Sequence, residues 1–303
     1  MKNNFKKYLI ICITIFTIFF IMTNNKLINE NILYAINLWI TKIFPSLFPM
    51  FVINEILISS GFPTIIINII NNLNNRIKIN TYAIYVFIMS IFSGTPSNAI
   101  ILKRLVEKKE ISNTDASYIL SFSFFSNPIF LWTILSPTFV KSTTLKIILI
   151  HYLANIIIFF IFKKKINTTN KLFIKNKNNY NLSNILNASI KKSLDTSIMI
   201  LGTITFYILV STVLLNSFNF NDTLATIIKG ALEITQGLSN LSLINSELTK
   251  EIIAISIISF GGLSIHSQII NIIEDTNISY RPFFIGRLFH ITISIILIIV
   301  FYF

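Results

Sequence analysis

The chain has 303 residues, of which 53% are hydrophobic and only 12% are charged. Soluble domains carry about 25% charged residues, so this composition excludes an ordinary soluble domain and indicates a polytopic membrane protein. The net charge of +13 does not point to a nucleic-acid partner, because the lysines gather in loops beside apolar segments, as they do in cytoplasmic loops of membrane proteins.

Residue types that carry metal or hydrolytic chemistry are scarce. Cys12 is the only cysteine, and His151, His266 and His290 are the only histidines. The sequence contains neither an HExxH nor a GxSxG motif. A single cysteine excludes a disulfide framework and a thiolate metal cluster. The sequence therefore predicts no enzyme, no bound metal and no cofactor.

The N-terminal part predicts one membrane span followed by an interfacial helix. Lysines precede the apolar run Tyr8–Met22, and no small residues at a cleavage site follow it, so this run predicts an uncleaved span with its N-terminus inside. Apolar residues then recur at helical spacing over Asn31–Ile43, which predicts an amphipathic helix at the outer interface.

The next span, Phe44–Ser60, contains one carboxylate. No lysine or arginine lies one helical turn from Glu55, and a carboxylate at membrane depth is a functional candidate by default, here for coupling to a cation. The apolar segment Phe62–Leu73 is too short for a simple crossing and predicts an interfacial or half-helix. A full crossing by this segment stays open as an alternative.

A polar, helix-breaking stretch then separates two apolar half-segments. Gly94 loosens the backbone, and Pro96 lacks an N–H donor and disfavours the α conformation of the residue before it. Such a break persists at membrane depth only beside protein or a wet cavity, and transporters bind their solutes at such breaks. Free N–H groups at the start of the following half-helix attract anions. The candidate solute contacts there are Thr95, Ser97 and Asn98.

Three later segments also carry polar groups or breaks in apolar surroundings. Asn127 precedes the helix-breaking Pro128. Glu233 is a carboxylate within the apolar segment 223–241 and is a candidate contact for a solute or a coupling cation. Two glycines interrupt the segment 251–273, and two polar side chains four residues apart follow them on one helical face. The candidate contacts in this segment are Gly261, Gly262, Ser264 and Gln268.

The lysine distribution predicts the membrane topology. Residues 163–192 hold eight lysines and no acidic residue, which is typical of a cytoplasmic loop. The number of membrane crossings before residue 163 agrees with this placement if Tyr82–Val106 does not cross the membrane. This segment would then be a re-entrant pair of half-helices that enters and leaves on the cytoplasmic face. Both termini are then cytoplasmic, while Glu274 and Asp275 lie outside. The predicted parts are 1–43, a first span and outer helix; 44–162, a first repeat with an extra span; 163–193, the basic loop; and 194–303, a second repeat in inverted orientation.

Five short motifs occur in order along the chain: Phe44–Pro49, Ser93–Pro96, Ser126–Pro128, Leu232–Gly237, and Gly261–Ser264 with Gln268. Together they resemble the YlbJ-type sporulation integral membrane proteins, a branch of the wider nucleoside-recognition (gate) domain family. The resemblance covers about residues 30–300 and implies an inverted-repeat membrane domain related to nucleoside carriers. For the sporulation branch it implies movement of dipicolinic acid during spore formation. Thr95, Ser97 and Asn98 depart from the family pattern, which affects the solute more than the fold.

The sequence thus predicts an all-α polytopic protein of a bacterial-type cell membrane, built from two inverted repeats with broken or re-entrant helices. The predicted activity is carriage of a small polar or anionic solute held between two broken helices, with a coupling cation as a further partner. A nucleoside-type carrier and a non-transporting membrane assembly protein stay open as alternatives. Oligomer formation also stays open.

Overall fold

The computed structural model describes Tyr8, Ile11, Ile15 and residues 18–74, 80–167 and 182–302 of the chain. Secondary structure in these residues is helical, with no strand among them. Within the described part of the chain, five helical segments are long and apolar enough to cross a membrane. They are Asn25–Ser59, Lys141–Lys165, Leu182–Ser217, Glu247–Ile273 and Arg281–Val300. The prediction of an all-helical protein with several membrane spans is confirmed.

The α-helices are α1 (Asn25–Leu38), α2 (Phe44–Ser59), α3 (Phe62–Asn74), α4 (Thr81–Ser93), α5 (Ser97–Glu107), α6 (Asn113–Phe122), α7 (Pro128–Leu135), α8 (Lys141–Phe162), α9 (Leu182–Ser217), α10 (Asp222–Leu232), α11 (Ile234–Ser239), α12 (Glu247–Phe260), α13 (Gly262–Ile273) and α14 (Arg281–Val300). Short 3₁₀ turns follow α8 at Lys163–Lys165 and α11 at Asn240–Leu243.

Two predicted boundaries fall inside helices. A π-helical turn, Trp39–Ile43, joins α1 to α2 without interruption, so the predicted interfacial helix ends within one continuous helical segment. Pro45 has no N–H to donate to the preceding turn, and a π turn accommodates that irregular hydrogen bonding. Helix α9 already begins at Leu182, which is before the predicted start of the second repeat at residue 194. Residues 168–181 of the predicted basic loop lie outside the described residues.

Four of the short interruptions between consecutive helices are important for the site described below. Helices α4 and α5 pack against each other on either side of Gly94–Pro96, and we call this pair the first hairpin. Helices α10 and α11 pack in the same way around Glu233 and form the second hairpin. Two broken helices complete the set: α6–α7, separated by Ser123–Asn127, and α12–α13, separated by Gly261. The sequence predicted three of these interruptions but not the one at Glu233.

Hydrogen bonds at the helix ends show which loops lie together. The Asn80 side chain donates to the carbonyl of Asn167 at 2.7 Å, and Asp115 accepts from the Asn167 N–H at 3.0 Å. Lys103 forms an ion pair with Asp275 at 3.2 Å. These contacts gather the start of the first hairpin, the start of α6, the end of α8 and the loop after α13 on one side. We call it the lysine side, because Lys163–Lys165 end α8 there.

The opposite side holds the beginning of α8 and the end of the chain. Lys146, in the second turn of α8, pairs with Glu251 of α12 at 2.6 Å and lies 5.4 Å from the ring centre of Tyr302. Helix α8 has 22 residues and therefore a length of about 33 Å. Tyr302 and Lys163 thus lie near opposite ends of α8.

The structure differs here from the predicted topology, which placed Asp275 opposite Lys103 and the C-terminus on the side of the lysine loop. The reason is the second hairpin. The side chain of Asn240 accepts from Lys229 at 3.1 Å and donates to Thr226 at 3.3 Å, so the chain turns back on itself at Glu233. The segment 223–241 therefore does not run straight through, and every later segment exchanges sides.

Candidate functional site

Three of the interruptions, and helix α13 that follows the fourth, meet at one small cavity. Its polar lining consists of Thr95, Ser126, Asn127, Glu233, Thr235, Ser264 and Gln268. Apolar residues from α2, α7, α9 and the π turn close the remaining walls, among them Leu47, Phe130 and Ile204. The cavity has a volume of about 40 Å³, which is enough for an ordered water molecule. The cavity in this conformation is therefore much smaller than an aromatic dicarboxylic acid.

The structure brings together one part of the predicted site. Five of the candidate residues line the cavity: Thr95, Asn127, Glu233, Ser264 and Gln268. The others do not line it, although they are close in sequence: Ser97, Asn98, Gly261 and Gly262. Ser126 and Thr235 were not among the predicted contacts, yet both border the cavity.

The tip of the first hairpin is fixed by the first broken helix. The Thr95 N–H donates to the carbonyl of Phe125 at 3.0 Å, and the side chain of Asn127 donates to the carbonyl of Phe92 at 3.0 Å. Gly94 has a φ of +69°, and a Cβ atom there would lie 3.0 Å from the backbone nitrogen of Asn127. Glycine thus permits both the left-handed backbone and the close approach.

Asn127 also caps the helix that follows it. Its Oδ1 accepts from the N–H groups of Ile129 at 2.9 Å and Phe130 at 3.2 Å. Pro128 occupies the first position of α7, where its missing N–H costs no helical hydrogen bond. Both polar atoms of the Asn127 side chain are therefore engaged by protein groups, and the residue stabilises the break.

Glu233 is a buried carboxylate at the tip of the second hairpin. It is 2% exposed and has an extended backbone, with φ −145° and ψ 122°. Its Oε2 accepts from the N–H of Gln236 at 2.8 Å and from the hydroxyl of Thr235. Lys229, one helical turn earlier, donates to Asn240 instead. Among the described residues no basic side chain forms an ion pair with Glu233.

The second broken helix packs closely on the second hairpin. Gly261 and Gly262 have φ values of +96° and +65°, and a Cβ on Gly262 would lie 3.2 Å from the backbone nitrogen of Ile234. Gln268 donates to Thr203 of α9 at 2.7 Å. Ser264 differs from these engaged side chains: it is 1% exposed, and its Oγ has no hydrogen-bond partner among the described residues.

The cavity therefore presents hydrogen-bonding groups from the start of a helix. Gly261, the residue before helix α13, supplies no side-chain cap, so the first N–H groups of this helix lack the side-chain acceptor that Asn127 gives α7. Ser264 lies in this first turn and lines the cavity. A helix start with a free hydroxyl beside it suits an anionic or polar group.

A comparison with curated proteins identifies one relative. Sporulation integral membrane protein YlbJ of Bacillus subtilis (strain 168) is 24% identical over 297 residues, which cover 84% of this chain and 72% of the relative. The chain is a homologue of this integral membrane protein. The relationship is distant, and it confirms the resemblance that the five motifs indicated. No family model matches the chain, and no solved structure matches it.

Glu55, the other predicted ion-coupling residue, lies away from the cavity of this YlbJ homologue. Its carboxylate pairs with Arg104 of α5 at 2.8 Å and approaches Lys192 of α9 to 3.8 Å. Burial of a charge is costly unless it is paired, and these partners compensate it. The ion pairs join α2, α5 and α9 on the lysine side.

The sequence analysis missed a buried polar cluster behind the first broken helix of this YlbJ homologue. His151 of α8 accepts from the N–H of Ser126 at 3.1 Å, and Asn155 donates to the carbonyl of Phe124 at 2.7 Å. Arg287 of α14 donates to the carbonyl of Ser121 at 2.7 Å. One feature of the sequence could have indicated this cluster: Arg287 lies within an apolar segment, and an arginine in such a segment usually has a function.

Proposed function

We propose that this protein is a membrane carrier that moves a small polar or anionic solute, held between the two hairpins and the two broken helices. One observation carries the proposal: polar side chains from three of the interruptions, and from helix α13 that follows the fourth, line a single cavity. Interrupted backbone is tolerated at membrane depth where it lines a cavity, and carriers bind their solutes at such places.

The order of the helices supports two inverted repeats with re-entrant hairpins. The first hairpin begins and ends on the lysine side, and it is followed by the broken helix α6–α7 and the continuous helix α8. The second hairpin begins and ends on the opposite side, and it is followed by α12–α13 and α14. The same three units thus recur with reversed orientation, which suits a carrier that opens alternately to either side.

We further propose that the lysine side is cytoplasmic, as the positive-inside rule requires. The N-terminus keeps its predicted cytoplasmic position, whereas the C-terminus lies outside. Single cysteines at the exposed residues Asn245 and Asn277, in a Cys12→Ser background, test this orientation. In intact cells a membrane-impermeant maleimide is expected to label position 245 and to label position 277 only after permeabilisation. The reverse pattern would contradict the orientation.

The proposed solute class is an anion that enters together with a cation on Glu233. The free Ser264 hydroxyl and the uncapped start of α13 suit a carboxylate, whereas an ionised Glu233 in the same cavity repels it. Dipicolinate is the leading solute because the sequence resemblance implies it. Since about 40 Å³ cannot hold this molecule, the hairpins and broken helices must separate to admit it.

A second candidate function is membrane assembly, with interruptions that serve packing alone. It is favoured because several polar side chains at the cavity already have hydrogen-bond partners within the protein. Asn127, Glu233 and Gln268 each already have partners within the protein. Uptake by proteoliposomes distinguishes the two functions. The purified protein is expected to take up dipicolinate in preference to nucleosides and simple dicarboxylates. Absence of uptake of every compound, by protein that is folded and correctly inserted, would favour the assembly function.

Ser264→Ala tests the cavity with a matched control in the adjoining helix. Ser259 is also buried, and its hydroxyl also lacks a partner among the described residues, but it does not line the cavity. Removing a hydrogen bond to a charged group costs about 1.5–3 kcal/mol, so Ser264→Ala should weaken dicarboxylate binding about tenfold or more. Ser259→Ala should leave it unchanged. If the two variants bind the dicarboxylate with equal affinity at equilibrium, Ser264 does not belong to the site.

A further inference from the structure

The buried guanidinium of Arg287 carries a positive charge into the interior of the protein. Arg287 is 0% exposed and lies in the second turn of the apolar helix α14. One Nη atom donates to the carbonyl of Ser121 at 2.7 Å and lies 3.4 Å from Oδ1 of Asn155. Both acceptors are neutral. Among the described residues no carboxylate forms an ion pair with Arg287.

Other contacts of Arg287 leave this charge uncompensated. The guanidinium carbon lies 4.2 Å from the ring centre of Phe124 and 5.4 Å from that of Phe283. Ring faces and a helix carbonyl attract a cation but do not neutralise it. Two of its three nitrogens, Nε and Nη1, have no hydrogen-bond partner among the described residues.

The backbone that Arg287 contacts continues directly into the cavity wall. Ser121 is in the last turn of α6, and Phe124 belongs to the interruption that leads to Ser126 and Asn127 in the lining. Asn155 and His151 fix the same interruption from behind, through the carbonyl of Phe124 and the N–H of Ser126. Arg287 itself does not line the cavity.

We propose that Arg287 is a specificity-determining residue that makes the cavity prefer solutes with negative charge. It acts through its field and does not touch the solute, and this role rests on the proposed carrier function. In a low-dielectric interior such a charge acts beyond its contacts. For a separation of roughly 10 Å and an effective dielectric constant of about 20, it changes affinity about tenfold per unit of solute charge.

A series of ligands with one shape and three charges tests this role. The series is pyridine-2,6-dicarboxylate, 6-carbamoylpyridine-2-carboxylate and pyridine-2,6-dicarboxamide, with charges of about −2, −1 and 0 near neutral pH. Binding is measured with the full chain in nanodiscs. Arg287→Gln is expected to weaken the dianion about 100-fold and the monoanion about tenfold, while the neutral amide binds as before. Arg287→Lys should keep the preference for charge.

Two further variants separate charge from geometry. Arg281→Gln removes a positive charge from the exposed start of the same helix and should leave all three affinities unchanged. Asn155→Asp places a carboxylate beside Arg287 and cancels its charge without removing it, but it also loses the hydrogen bond to the Phe124 carbonyl. Binding of the neutral amide reports that structural loss, and relative to the amide the preference for charge should again fall. This variant keeps the test decisive where Arg287→Gln does not fold.

The outcomes are distinct. An equal loss for all three ligands in Arg287→Gln would overturn the inference, because it would show that Arg287 acts only by supporting the interruption. Unchanged binding of the anions in both Arg287→Gln and Asn155→Asp would overturn it as well. If the wild-type protein binds none of the three ligands, both the proposed anion site and the role of Arg287 are wrong.

Discussion

Glu233→Gln is expected to abolish the gradient-driven accumulation of an anionic solute while the protein still folds. The glutamine side-chain oxygen can accept the Gln236 N–H as Glu233 does, so the start of α11 keeps its cap. In the wild type, an ionised Glu233 and a carboxylate about 5 Å apart repel each other by about 3 kcal/mol at an effective dielectric constant of about 20. A cation on Glu233 removes this repulsion, and solute binding should therefore tighten about 100-fold at low pH or high sodium.

In the variant this dependence should disappear. Anion binding should be independent of pH and sodium, exchange of internal for external solute should continue, and net accumulation should fall at least tenfold. Glu247→Gln serves as the control, because Glu247 is exposed at the start of α12 and should behave as the wild type. Accumulation by Glu233→Gln at the wild-type rate, with equal protein levels, would exclude Glu233 as the coupling residue.

Gly237→Ala is expected to prevent the two arms of the second hairpin from closing. A Cβ atom on Gly237 would overlap the backbone of Gly230 on the opposite arm and would lie 3.0 Å from Cδ1 of Ile257. The two backbone segments cannot move apart unless the hairpin opens. The substitution should therefore lower the free energy of unfolding by about 3 kcal/mol, near the upper end of the range for overpacked cores. Unfolding by a denaturing detergent measures this loss of stability.

The chain offers a matched control for this substitution. Gly202 is also helical, in α9, but nothing lies within 4 Å of a Cβ atom placed there. Gly202→Ala should therefore be neutral or should stabilise the protein by about 0.5–1 kcal/mol, since alanine favours the helix. If Gly237→Ala unfolds at the same detergent concentration as Gly202→Ala, the two arms of the second hairpin do not pack as closely as described.

Most of the fold could be predicted because membrane spans and backbone breaks leave strong local signals. The clean apolar runs of α8 and α14 were predicted nearly in full. Three interruptions were predicted from Gly94 with Pro96, from Pro128 and from Gly261, since these residue types directly disfavour a continuous helix. Their meeting at one cavity was a hypothesis from the sequence, and it required tertiary contacts that no local signal contains.

The interruption at Glu233 could not be predicted in the same way. No glycine or proline stands at the break, and the glycines that permit it, Gly230 and Gly237, lie on the two arms and act through their contact. Because this turn was missed, the sequence analysis placed Asp275 on the side opposite Lys103, whereas the two residues form an ion pair. Arg287 was visible as a charge in an apolar helix, but its partners Ser121 and Asn155 are distant in sequence.

The tip of the first hairpin has a consequence for biogenesis. Helices α4 and α5 have 13 and 11 residues, fewer than the roughly 20 that span a bilayer, so neither can leave the insertion machinery as an independent span. The partners of the tip, Phe125 and Asn127, are synthesised only after the whole hairpin. We therefore expect the hairpin to reach its final position only after α6–α7 has been synthesised.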